Sequence, residues 1–423
     1  MSRFTIADAR ILTLAGADEP RRGDSMRDLG VIEHGWLTFE DNRIVGLGEG
    51  DPPESESDVL GVAGSVLMPA FVDCHTHTCW AGQRFDEFEM KLAGASYLDI
   101  LNAGGGIMST VRAVRETSEE ELIDLLLRRL GGMASLGSGV VEIKSGYGLD
   151  TANELKMLRA IHGASTQTAQ TLIGTFLGAH AIDPDNPHFI DETIEETLPQ
   201  VVTEFPGIIC DAYCEEGAWS LKDTQRLFEK AKELGCRLRV HADQFNSLGA
   251  TKLAIEMEAI SVDHLEATTS EDLQALAKSS TMGVALPICG FQLDDRYARG
   301  REFIDQGGAL AIASNYNPGS APSPSMPFTI ALACKKLRLT HEEAITASTW
   351  NGACVLGLQD QFGSLEVGKR ADLQVLDCRD EREIAYEFAT AGPLLVILNG
   401  HVVHLRALDL DLEASDEEHE EEE

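Results

Sequence analysis

Val66-Leu67-Met68-Pro69-Ala70-Phe71-Val72-Asp73-Cys74-His75-Thr76-His77 runs from an apolar block into two histidines one residue apart. The apolar part predicts a short buried strand. Side chains at i and i+2 of a strand share a face, so His75 and His77 project together from its C-terminal end. Two imidazoles so placed are half of a transition-metal site. A lone H-x-H is as often a pair of satisfied polar residues. Here further histidines follow strand-like runs downstream, and that weighs toward a site.

Working outward, strand-like runs recur at about 66–73, 139–144, 172–178, 207–213, 237–242, 259–264, 281–286 and 308–314. Amphipathic stretches such as Glu119 to Leu130, Ala152 to Ile161 and Asp223 to Leu234 separate several of them. Strands alternating with helices predict a parallel sheet, and eight of them fit a (β/α)8 barrel of the α/β class. His75 and His77 follow the first run and His180 the third. His241 closes the fifth, His264 the sixth, and Asn315 follows the eighth. These are strand C-terminal ends, where such barrels carry their active sites. Residues 1–65 and 355–408 both read as short strands and turns, including 365–377 and 394–403. The two ends are expected to pair into one small β-sandwich domain, with the barrel over 66–354 and a disordered acidic tail over 409–423.

The chain of 423 residues carries 70 acidic against 34 basic residues, a net charge of −36, and only 11 of the basic residues are lysine. Such a surface repels nucleic acid and anionic membrane. Because the excess is spread along the chain and not confined to the tail, it suggests adaptation to high salt, where cations screen the self-repulsion. No apolar run reaches membrane-spanning length, and the N-terminus lacks the pattern of a signal peptide, so a cytoplasmic location is expected. The 9 cysteines are odd in number and form no CxxC pair, which argues for reduced, buried thiols and against a disulfide framework or zinc ribbon. Cys74 should point away from the two histidines beside it.

Several segments carry a closer resemblance: MPAFVDCHTHTCWAGQR at 68–84, FEMKLAGASYLDILNAGGGIMSTVRA at 88–113, EIKSGYGLD at 142–150, TFLGAHA at 175–181, CEEGAWS at 214–220, VHADQ at 240–244, DHLE at 263–266 and NYNPGS at 315–320. The H-x-H marks only the amidohydrolase superfamily. The AGGGI, KSGYGL and NPGS segments together resemble the imidazolonepropionase family, over nearly the whole chain except the tail. That resemblance implies an amidohydrolase-type barrel and a metal-dependent opening of 4-imidazolone-5-propanoate to N-formimidoyl-L-glutamate, in histidine degradation.

It also implies roles. His75, His77 and His241 match the family's metal histidines, with Asn315 at the fourth metal position. His264 and His180 match its catalytic, substrate-facing histidines, and His264 is the better acid/base candidate. Arg84 matches an arginine that can clamp the propanoate carboxylate with its planar fork. Tyr147, Tyr97, Gln244, Asn317, Gly319 and Ser320 match further substrate positions. His162, His188, His341, His401, His404 and His419 lie outside the motifs. Gly104-Gly105-Gly106 lacks the Lys-Ser/Thr of a phosphate loop and reads as a close-packed active-site loop. Lys144 is not read as a carboxylated metal bridge, so one transition metal, divalent or trivalent, is expected. The substrate is a small molecule, and a homodimer is allowed but not required.

One departure stands out. Where the family carries an aspartate in D-x-N-P-G, this chain has Asn315. An amide can coordinate or orient, but it cannot accept a proton at neutral pH. The loss of a negative charge favours Zn²⁺ over Fe³⁺. It also opens two other readings: a different cyclic-amide hydrolase or deaminase of the superfamily, and a catalytically silent metal-binding homologue.

Overall fold

The computed structural model describes residues 3–54, 58–95, 99, 103–293, 295–388 and 392–406; Tyr97 and the tail from 409 lie outside them. In chain order the strands are β1 (Arg3–Leu12), β2 (Val31–Glu40), β3 (Arg43–Glu49), β4 (Asp58–Gly61), β5 (Val66–Pro69), β6 (Phe71–Asp73), β7 (Ser138–Lys144) and β8 (Thr171–Ala179). They continue as β9 (Ile209–Cys214), β10 (Arg237–Ala242), β11 (Ser261–His264), β12 (Met282–Ala285), β13 (Leu310–Ile312), β14 (Leu373–Leu376), β15 (Pro393–Leu398) and β16 (His401–Leu405). Strands β6 to β13 form one eight-stranded parallel sheet in sequential order. The sheet closes just beyond its edge strands. The Asn315 N–H donates to the His75 carbonyl at 3.0 Å, and the His77 N–H to the Tyr316 carbonyl at 3.0 Å. The result is the expected (β/α)8 barrel, with the first histidine pair and Asn315 forced side by side at the seam.

Helices wrap the barrel for ordinary reasons. Over Glu119–Ser135, Ser118 caps the N-terminus by accepting the Glu121 N–H, and three glutamates occupy the first turn, where the helix dipole favours them. Leu122, Leu126, Leu130 and Met133 recur at helical spacing and are all buried.

The run 66–73 is two strands, not one. Val66–Pro69 pairs with β1 and β14 in the second sheet, whereas Phe71–Asp73 pairs with β7 in the barrel. The change of partner falls at Ala70, whose N–H donates to the Asp372 carbonyl, while the Phe71 N–H donates to the Gly137 carbonyl. Both strands are buried, so the hydropathy shows no break between them. Likewise 394–403 is a hairpin, β15 to β16, turning at Asn399-Gly400 with φ of 54° and 77°, the two-residue turn that Asn-Gly favours. Only Leu373–Leu376 of the run 365–377 is strand.

The second sheet joins both chain ends in the order β16-β15-β14-β5-β1-β2-β3, with β4 against β1. It curls until the Ile44 N–H reaches the Lys369 carbonyl at 2.9 Å and the Gly368 N–H reaches the Ile44 carbonyl at 2.8 Å. Ile11, Leu37, Phe39, Leu67, Leu373 and Ile397 share the enclosed core. The domain edges shift from the expected 66 and 355. Val66–Pro69 belongs to the small sheet, and Val355 and Leu356 pack with the barrel residues Val72 and Ala311. Among the described residues no helix is long and apolar enough to cross a membrane, and all nine cysteines are unpaired thiols. Cys74 packs in an apolar cluster with Val72, Val140 and Val284.

Candidate active site

At the C-terminal mouth of the barrel, His75, His77, His180, His241 and His264 meet. Ring centroids lie 4.4 Å apart for His75 and His241, 5.3 Å for His75 and His77, and 4.8 Å for the stacked pair His77 and His180. His75 Nδ1 lies 2.6 Å from Asp263 Oδ2 and His241 Nδ1 lies 3.1 Å from Asp211 Oδ1. Each carboxylate accepts the Nδ1–H and so turns the Nε2 lone pair inward, as carboxylates do for metal-bound histidines. His75 Nε2, His77 Nδ1 and Asn315 Oδ1 are buried without a hydrogen-bond partner, and His241 Nε2 stands 3.3 Å from His77 Nε2. Orphaned buried polar atoms cost about 1–3 kcal/mol each, so a cluster of them calls for an occupant. Burial holds His75 and His77 well below their usual pKa and brings His241 down to about 4. Neutral imidazoles are the form that ligates a metal. The donor set fits a borderline transition metal.

Beneath the histidines the barrel interior is charged. Period-two alternation points Glu142 and Lys144 of β7, Asp211 of β9, Arg239 of β10 and Asp263 of β11 inward. The Lys144 ammonium lies 2.7 Å from Glu142 and 2.8 Å from Asp211. Arg239 donates to Asp263 at 2.5 Å, Ser261 at 3.0 Å and the Cys74 carbonyl at 2.7 Å. All five charged side chains are 0% exposed. Burial opposes the charge of Asp211, but His241 and Lys144 outweigh it and hold the carboxyl well below its usual range. Lys144 is thus committed to two ion pairs. Three carboxylates against two cations leave the network negative beneath the imidazoles.

The His180 Nδ1–H donates to the Gly146 carbonyl at 3.0 Å, and burial lowers this histidine to about 4. The SGYG loop that supplies that carbonyl is organised by buried Glu154, which accepts the N–H groups of Gly146, Gly148 and Leu149. Tyr147, also buried, sits 5.2 Å from the His180 ring. His264 has φ of +93° and Leu265 +73°, a left-handed backbone that is strained for such residues. Its Nδ1 is 3.3 Å from Glu266. Burial acts against protonation there, but Glu266 and Cys289 more than offset it and push His264 up to about 10.

Gln244 accepts from the Tyr213 hydroxyl at 2.8 Å and donates to Cys289 Sγ at 3.3 Å. Asn317 ties its own loop, accepting the N–H groups of Gly319 and Ser320 at 2.8 Å and donating to the Asn315 carbonyl at 2.6 Å. Arg84 stands at the rim of a cavity of about 560 Å³ also lined by Trp80, Tyr316 and Gly319. Its Nε and one Nη grip Glu87 at 2.8 and 2.5 Å, and Glu87 also accepts the Gly106 N–H at 3.1 Å. Its other Nη faces Gly319, where an added Cβ would lie 2.5 Å away. The AGGGI segment is thus tied to this ion pair through Glu87, and Gly319 of the NPGS segment lies against the guanidinium. The five histidines and Tyr147 lie together at the barrel mouth, whereas the cavity that Arg84 and Gly319 line includes none of the histidines; Tyr97 lies outside the described residues.

Sequence reasoning missed Glu87, Glu142, Asp211, Arg239 and Asp263, which hold the candidates in place, and Cys289. The signal for the barrel network was present: charged residues at alternate positions of runs otherwise apolar.

The sequence model of the amidohydrolase family matches residues 66–403, so the barrel and its histidine cluster are of the amidohydrolase class. Among curated proteins, imidazolonepropionase of Herpetosiphon aurantiacus is 43% identical over 413 residues, covering 94% of this chain and 96% of that protein. The imidazolonepropionase of Symbiobacterium thermophilum is 41% identical over 411 residues, covering 94% and 96%. The chain belongs to the imidazolonepropionase family. Among solved structures, 5-methylcytosine deaminase from Klebsiella pneumoniae superposes with a TM-score of 0.73 at 16% identity, covering 96% of this chain and 98% of that one. Guanine deaminase of E. coli gives 0.72 at 13% identity, covering 96% and 100%. At such identities these two share the fold.

Proposed function

We propose that this chain hydrolyses 4-imidazolone-5-propanoate to N-formimidoyl-L-glutamate, the ring-opening step of histidine degradation. The observation that carries the reading is the set of inward-facing, unpartnered imidazole lone pairs at the barrel mouth, supported by Arg84, whose guanidinium lies against Gly319 of the NPGS segment. The curated relatives' name supports it. His75, His77 and His241 would hold the metal, with the Asn315 amide oxygen beside them. With a carboxamide where a carboxylate is usual, the set suits Zn²⁺ better than Fe³⁺. The Asp211 and Asp263 carboxylates behind the imidazoles supply part of the missing negative charge. When bound, a Zn²⁺ supplies Lewis acidity toward the ring carbonyl and makes a water more acidic.

The chain does the rest. Asp211 and Asp263 fix the tautomers and orientation of the two histidines they hold. Asn315 orients the attacking water through Oδ1 without taking its proton; that proton would leave to solvent as the water ionises in the presence of the ion. His264, held protonated by Glu266, donates to the ring nitrogen as the C–N bond breaks. Arg84 offers the substrate carboxylate the Nη that Glu87 leaves exposed to the cavity, and Tyr147 and His180 wall the ring. A panel of substrates tests the reading. 4-Imidazolone-5-propanoate should turn over, and the same ring without its carboxylate should lose most of its kcat/KM. Comparable turnover of cytosine or guanine would contradict the proposal.

Arg84→Ala should remove a charge-assisted contact of about 1.5–3 kcal/mol, a rise in KM of roughly 10- to 150-fold with kcat little changed. Arg84→Lys should restore only part, because an ammonium cannot serve Glu87 and substrate in two directions at once. Steady-state kinetics that do not move in the alanine variant would remove Arg84 from the site.

The acidic surface makes a separate expectation. Stability and activity should rise with KCl into the molar range, beyond the point at which Debye screening is nearly complete, at about 1 M. Thermal unfolding across a KCl series checks this, and a protein most stable at low salt would contradict it.

A further inference from the structure

His264 has two neighbourhoods. On one side it faces the metal histidines, with ring centroids 6.1 Å from His75 and 5.5 Å from His241. On the other it meets Glu266 and Cys289, and one donor atom from each of His264, Glu266 and Cys289 lies within 4.8 Å of the other two. This second triplet is enclosed: the side chains of His264 and Glu266 are each 4% exposed, and Cys289 is 2% exposed. It is also unsatisfied. One oxygen of Glu266 is spent on His264 at 3.3 Å, and the other, Oε2, is buried with no hydrogen-bond partner. The Cys289 sulfur accepts from the Gln244 amide at 3.3 Å and is also hydrogen-bonded to His264.

An imidazole, a carboxylate and a sulfur converging with a spare anionic oxygen make a three-ligand set with one position open, the arrangement of a non-structural zinc site. The sulfur shifts preference toward softer borderline ions, Zn²⁺, Co²⁺ or Cd²⁺, and away from Mg²⁺ or Ca²⁺. We propose that His264, Glu266 and Cys289 form a second, thiolate-bearing site for such a divalent ion, beside the histidine cluster and sharing His264 with it. Binding there replaces the thiol S–H and the ligating imidazolium N–H of His264 by bonds to the metal and releases both protons to solvent. It also takes up the imidazole that the proposed function uses for proton transfer. On that reading, an ion in this site blocks turnover, so excess metal is inhibitory while the first equivalent is required.

Cobalt titration of the full-length, metal-stripped protein tests the site without relying on activity. The wild type should bind a second equivalent of Co²⁺, and that equivalent should bring a sulfur-to-cobalt charge-transfer band in the near ultraviolet. Cys289→Ser should bind the first equivalent and lose both the band and the second. Glu266→Gln, which keeps the size of the side chain, should weaken the second equivalent at least about tenfold. Saturation of the wild type at one equivalent, with no sulfur band, would overturn the site and leave the hydrolase reading untouched. A second equivalent that binds with its band but does not inhibit would overturn the proton-transfer role of His264 and leave the site standing.

Discussion

Asp263→Ala is expected to cost the fold roughly 3–5 kcal/mol, because it leaves a buried charge without its partner. Asp263 accepts from Arg239 at 2.5 Å and from His75 at 2.6 Å, and all three side chains are 0% exposed. Removing it strands the Arg239 guanidinium against the weaker 3.4 Å approach to Glu142. It also frees His75 to rotate or to take the other tautomer, which for such supporting carboxylates lowers metal affinity by about 10- to 100-fold. Asp263→Asn separates the two effects. Its amide oxygen can still accept the His75 N–H, so metal affinity should fall less than in the alanine variant, while the charge on Arg239 stays unbalanced. Denaturant unfolding and a chelator competition read the two quantities. An alanine variant as stable as the wild type would mean that the buried network is not what holds the barrel interior together.

His264→Ala is expected to lower kcat by about 10²- to 10⁴-fold, the usual share of a positioned proton donor. Asn315→Ala should cost far less, about the single neutral hydrogen bond that its Oδ1 accepts from a water, near 1 kcal/mol. The contrast follows from chemistry: the imidazole carries a transferable proton and the amide does not. Asn315→Asp should keep activity and move the acid limb of the pH–rate profile upward, since the added negative charge makes the attacking water less acidic. If the alanine variants of His264 and Asn315 were equally damaging, proton delivery would have to be assigned elsewhere. If the natural chain were inert and Asn315→Asp switched it on, the silent-homologue reading would replace the present one.

The barrel was legible because each of its strands is a short apolar run, and because histidines sit where several of those runs end. The seam between β5 and β6 was not. Both strands are buried, so the change of sheet at Ala70 leaves no trace in hydropathy and shows only in where the Ala70 and Phe71 N–H groups are spent. The β15–β16 hairpin could have been read: Asn399-Gly400 sits between two apolar runs and is a strong turn signal. The histidines proposed to hold the metal were visible as a spacing and a resemblance. Their supports were harder, since Asp211 and Asp263 each look like one polar residue in a strand until the barrel brings them beside His241 and His75. Arg84 was visible as a candidate clamp, but not the prior hold of Glu87 on it, which depends on a helical turn bringing residue i+3 back to the guanidinium.

The most direct test of the central claim is a single-turnover product analysis of 4-imidazolone-5-propanoate with zinc-loaded protein in molar KCl, with metal content measured on the same sample. The account predicts N-formimidoyl-L-glutamate, formed in proportion to bound metal and abolished by stripping it. Intact substrate after prolonged incubation with fully loaded protein, or a product formed equally well by the stripped chain, would contradict it.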